Sequence, residues 1–69
     1  MMNPTRRGYA IVRIDLFHGD DVPWTNKITV TKVVASEADA DLEVARLTEL
    51  NRGKGCVYFW QVTKIYMKP

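Results

Sequence analysis

The sequence predicts an α+β domain with a two-layer β-β-α-β order. An antiparallel three-stranded sheet, in order 2-1-3, carries one helix on one face. Three observations predict this. Two early segments alternate apolar and other residues with period two. An acidic, serine-capped segment with helical periodicity follows them. A β-branched and aromatic run begins just after two glycines near the C-terminus.

Tyr9–Phe17 is the first predicted strand, after a loose start over residues 1–7. Its even positions Ala10, Val12, Ile14 and Leu16 are all apolar, whereas its odd positions are mixed. Residues His18 to Asn26 are dense in turn formers and make a wide hairpin loop. Trp24, after Pro23, reads as a lid over one end of the core. Lys27–Val34 is β-branched and alternating, a second strand. Lys32 breaks its phase, which places a bulge or an edge position near Thr31.

Ser36 opens the helix. Its hydroxyl, with Asp39 three residues on, makes a variant of the capping box. Glu37, Asp39 and Asp41 suit the positive end of the helix dipole. Ala40, Val44, Leu47 and Leu50 form one stripe, predicted to pack on the sheet. Gly53 is the natural stop, with Arg52 in the last turn. Cys56–Met67 is the third strand. A helix joining strands two and three places the third beside the first.

Sixty-nine residues make one small domain. By the usual scaling it buries about 60% of its unfolded surface, near the lower limit for folding alone. One cysteine allows no internal disulfide, and one histidine makes a structural metal a poor prospect, so a partner subunit is the expected staple. No apolar run approaches a membrane span, and the N-terminus lacks a cleavable-signal pattern. The lone thiol points to the cytoplasm. Net charge is only +2, but residues 36–51 carry five acids against Arg46 (−4), leaving +6 on the rest.

One helix covers one side of such a sheet. The clean even face of strand one is expected to meet it, leaving Tyr9, Ile11, Arg13, Asp15 and Phe17 on the open side. In strand three, Lys64 would be costly in a core, so the even set Tyr58, Trp60, Val62, Lys64 and Tyr66 is sent outward, although Gln61 then needs a partner inside. The expected open face thus gathers Tyr9, Phe17, Tyr58, Trp60 and Tyr66 with Arg13 and Lys64. A patch of that size marks an interaction site. Two copies would bury it in a homodimer, or another protein would cover it. Alternatively it stacks single-stranded nucleic acid, with Arg13, Lys64, Arg6 and Arg7 on phosphates. With the opposite phase, the aromatics are simply core.

The chemical motifs are weaker. Arg52–Phe59 fits an RNA-recognition signature at five of eight places, but Lys54 and Cys56 replace the stacking aromatics. Gly53-Lys54-Gly55 follows a helix and so meets its carbonyl end, the wrong end for phosphate. His18, Asp20 and Asp21 sit on one loop without a second histidine, a poor metal set. Cys56 and His18 come close if strands one and three pair, which would imitate a thiolate–imidazole couple. The reading is therefore non-enzymatic, with no cofactor and no metal.

With Ile28-Thr29-Val30, the Ser36-capped acidic helix and Gly55-Cys56-Val57-Tyr58-Phe59-Trp60-Gln61 in order, the chain resembles a group of small uncharacterised bacterial single-domain proteins. These share a comparable helix and a terminal Tyr-Phe-Trp-Gln strand. The resemblance implies a stand-alone bacterial domain and carries no activity, cofactor or site residue.

Overall fold

The structure, a computed structural model, describes residues 4–16 and 21–68. Strand β1 (Thr5–Asp15) is central, flanked by β2 (Ile28–Val34) and β3 (Cys56–Tyr66), both antiparallel to it. Helix α1 (Glu37–Leu50) links β2 to β3. The sheet order is β2-β1-β3, as the sequence predicts. One turn of 3-10 helix (Trp24–Asn26) precedes β2. Trp24 is no lid, being 65% exposed with the Lys27 ammonium 5.1 Å from its ring centre.

Strand β1 starts four residues earlier than its alternation suggests. Thr5, Arg6 and Arg7 are not a loose start but pair with Tyr66, Ile65 and Lys64. The β1–β2 register slips between Ile11 and Val12. Ile11 faces Lys32 and Val12 faces Val30, so Thr31 is left over as the bulge expected there. Its hydroxyl donates to the Ile11 carbonyl at 3.2 Å, which satisfies an acceptor the bulge would leave open.

The helix begins as predicted, with Ser36 Oγ accepting from the Asp39 amide at 3.1 Å. It stops at Leu50. The backbone N–H of Asn51 donates to the Leu47 carbonyl, as does Asn51 Nδ2 at 2.9 Å. Gly53 (φ +80°) and Gly55 (φ +72°) then turn the chain through the left-handed region that side chains resist.

Paired residues of antiparallel strands lie on the same face. Register therefore divides the sheet into two sides. One carries Tyr9, Ile11 and Arg13 of β1 with Trp60 and Tyr58 of β3. The other carries Ala10, Val12 and Ile14 with Gln61, Phe59 and Val57. The helix packs on the first. Ala40 is buried against Tyr9 and Ile11, with Val34, Val44, Leu47 and Trp60 around them. Leu50, predicted to complete the helical stripe, is 60% exposed. The helix therefore covers the side opposite to the one expected, and the rings of Tyr9 and Trp60 are core. They meet edge to face, 5.3 Å apart at 87°.

Two lengths explain the inversion. Fourteen helical residues span about 21 Å, whereas eleven strand residues span roughly 37 Å. Only the middle of the strand lies under the helix. Lys64 and Arg7 fall beyond it and stay in water, so the cost of burying Lys64 never arises. The mixed side also supplies polar handles the helix can hold. Trp60 Nε1 donates to Asp41 Oδ1 at 2.7 Å, and the Lys32 ammonium on β2 reaches the Glu43 carboxylate, which also pairs with Arg46.

Candidate interaction surface

The uncovered side of the sheet is built from three strands. From β1 come Gly8, Ala10, Val12 and Ile14; from β2, Ile28, Val30 and Val33; from β3, Val57, Phe59, Gln61, Thr63 and Ile65. Among the described strand residues on this side only Arg6, at one end, is charged. β-branched side chains dominate, because a pleated strand accommodates them best. Ala10 and Val12 are shielded by neighbours within the sheet, but Ile28, Val30, Val33, Val57 and Phe59 are each 40–57% exposed. On this side Ile65 and Val33 lean over Gly8. A Cβ there would meet their methyl carbons at 2.8 and 2.9 Å, so glycine allows them to close the surface.

The molecule is thin and elongated. It measures 47 × 28 × 13 Å, with a radius of gyration of 14.4 Å against about 11 Å for a compact chain of this length. Its accessible surface is 5440 Å², roughly 1,000 Å² more than the ~4,400 Å² a folded monomer of 7.9 kDa keeps. A standard protein interface removes about 800 Å² from each partner. The excess is thus of the size one such contact removes.

The residues expected on the open side do share one face, but it is the helix face. Tyr9 and Trp60 lie beneath the helix. Tyr58 and Arg13 are half-buried at the end where β1 finishes, and Lys64 and Tyr66 are exposed beyond the helix at the other end. Phe17 lies outside the described residues. The single aromatic platform for stacking bases is therefore corrected: its centre is covered, and its two ends are separated by the helix.

Arg13, Asp15, Cys56 and Tyr58 form the polar end of the helix side. Asp15 is buried, and its Oδ1 lies 3.1 Å from Arg13 Nε. The contact is an ion pair, and that buried Nε has no hydrogen-bond partner among the described residues. Burial, then hydrogen bonding to Cys56, raises the pKa of the Tyr58 phenol, while Arg13 works against them. At the other extreme, hydrogen bonds from Arg46 and Lys32 hold Glu43 at about 2.

The expected Cys56–His18 couple and the His18/Asp20/Asp21 metal set depend on His18 and Asp20, which lie outside the described residues. Among the described residues no three His, Cys, Asp or Glu side chains are grouped to hold a metal. Among them no helix is long and apolar enough to cross a membrane. Compared with known proteins, the chain matches no family model, no curated protein and no solved structure. The resemblance of its last strand accordingly brings no site with it.

The open surface is the aliphatic one, which the sequence led us to expect beneath the helix. Its signal was present: no charge interrupts Gly8 to Ile14 at even positions, or Val57 to Ile65 at odd ones.

Proposed function

We propose that the protein is a small non-catalytic interaction module whose open sheet face stacks on the same face of a second copy. The observation that supports this reading is the uncharged aliphatic face on a domain with a very thin core. Among the described residues only Tyr9, Ala10, Ile11, Val12 and Ala40 are buried hydrophobics. A domain this small rarely supplies enough core by itself. Stacking two sheets about 10 Å apart makes a helix–sheet–sheet–helix sandwich with a second, larger core. Exposed apolar patches of this extent are uncommon on monomers.

Light scattering from about 10 to 300 μM, at low and moderate salt, tests it: a dimer or a multiple of it should persist, with little dependence on salt. Val30→Lys places an ammonium in the stacked core. Val30 is 57% exposed on an edge strand, so the isolated fold tolerates the change. Loss of stacking with retained folding is the expected result. An unchanged mass at every concentration would sink the reading.

A second reading rests on a different observation. Beyond β2 and the helix, β1 and β3 continue as a two-stranded arm in which Arg7 stands directly opposite Lys64. Like charges facing each other across strands destabilise a ladder. Arg6 flanks this pair, Tyr66 is 70% exposed beside it, and none of these three cations is in an ion pair among the described residues. We propose the arm as the place where a single-stranded nucleic acid would bind. Arg13 takes no part, since Asp15 holds it. Binding to an oligonucleotide should fall steeply with salt and weaken on Arg7→Gln. No binding at low salt ends this second reading and leaves the first untouched.

A further inference from the structure

The two outer strands of the sheet differ in how their edges are protected. β2 is short, carries the Thr31 bulge and has Lys32 in it and Lys27 just before it, devices that discourage further pairing. β3 has none of the first two. Eleven residues pair one for one with β1, from Tyr66 opposite Thr5 to Cys56 opposite Asp15, with no bulge, no proline and one lysine.

Two backbone bonds just outside the ladder fix which way β3 turns its amides. The Leu16 N–H donates to the Gly55 carbonyl at 2.7 Å, and the Met67 N–H donates to the Pro4 carbonyl at 3.1 Å. Hydrogen-bonded pairs alternate in an antiparallel ladder. The odd-numbered residues of β3 therefore turn their backbone groups toward β1. Cys56, Tyr58, Trp60, Val62, Lys64 and Tyr66 turn theirs to the free edge.

We infer that this edge pairs with β3 of a second copy, antiparallel, about a two-fold axis at Gln61. In that register the outward-turned residues meet one another. Tyr58 faces Lys64 of the second copy, Trp60 faces Val62, and Cys56 faces Tyr66. On the open side Phe59 faces Thr63, and Gln61 faces itself, amide to amide. All eleven residues join the ladder, and the one lysine never faces another. A shift by two residues either way shortens the ladder. The two-fold contact also closes: the only edges left are the two bulged β2 strands, so the pairing ends at six strands rather than growing into a filament. It uses the edge and not the face, so it stands or falls separately from the stacking proposed above.

The test is a cross-link that depends on register. Gln61 on the axis is a non-hydrogen-bonded pair, with Cα atoms about 4.5 Å apart, within disulfide reach. Stacked faces would keep the same atoms about 10 Å apart, beyond it. In a Cys56→Ser background, Gln61→Cys under mild oxidation should give covalent dimer at least about tenfold faster than Thr63→Cys, whose copies are offset along the strand. Lys64→Pro removes an outward N–H without touching the β1 ladder, and should abolish the cross-link. Val30→Lys, which breaks stacking, should leave it in place. Equal rates for the two cysteines, a cross-link that survives Lys64→Pro, or one that disappears with Val30→Lys would each overturn edge pairing.

Discussion

Phe59 and Trp60 are adjacent in β3 and point to opposite sides of the sheet, so truncating each should damage a different process. Phe59 is 40% exposed on the open side. That leaves roughly 85 Å² of ring for a partner to cover, worth about 2 kcal/mol at the usual 25 cal/mol per Å². A two-fold interface contains the residue twice, so Phe59→Ala should cost association about 4 kcal/mol, a dissociation constant raised about a thousandfold. Its effect on the monomer is limited to the packing it already makes with in-sheet neighbours. Trp60 is different. Its ring packs edge-on to Tyr9 beneath the helix, and its indole N–H holds Asp41. Trp60→Ala should remove about 3 kcal/mol of folding stability, enough to unfold much of a small domain. Sedimentation at several concentrations reads the first effect, and urea unfolding at low concentration reads the second. If Phe59→Ala unfolded the chain while Trp60→Ala merely dissociated it, the assignment of the two faces would be refuted.

Gly8→Val should act where Ile65 and Val33 close over the strand. The added side chain pushes both outward, costing about 1–3 kcal/mol of stability and roughening the open face, which thermal melts and sedimentation together would reveal. Glu43 ties β2 to the helix, and its folded pKa of about 2 lies below its ordinary value. The stability it contributes is therefore fully present above about pH 4.5 and is lost as pH falls through about 2. Urea unfolding of Glu43→Gln should accordingly show its largest deficit at neutral pH and converge on the unmodified protein near pH 2; a deficit independent of pH would contradict this assignment.

Much of the fold was legible in the residues because local chemistry is read locally. Ser36 and Asp39 announce a cap, and Lys32 announces a break in alternation that proves to be the Thr31 bulge; Gly53, expected as the helix stop, lies in the turn beyond Leu50. Strand order followed from the helix between β2 and β3. The side the helix takes was not legible, because it depends on relative lengths that no short window contains. The cleanest aliphatic alternation, at Ala10, Val12 and Ile14, looked like the intramolecular core. The helix instead takes the mixed side, where Tyr9 and Trp60 offer bulk, and where the Trp60 indole N–H and the Lys32 ammonium offer polar ties to Asp41 and Glu43 of the helix. An alternation that is free of charge therefore does not by itself say which side of the sheet the chain's own helix covers. The early start of β1 was hidden for a related reason. Thr5, Arg6 and Arg7 have no strand pattern of their own and are held by pairing with β3.

The most direct test of the central claim is an intermolecular nuclear Overhauser experiment on a mixture of labelled and unlabelled protein. Stacked open faces should give cross-peaks between copies that join the Phe59 ring to methyl groups of Ile28, Val30, Val33 or Val57. A spectrum with no intermolecular peaks from the open face, at concentrations where the mass is that of a single 7.9 kDa chain, would contradict it.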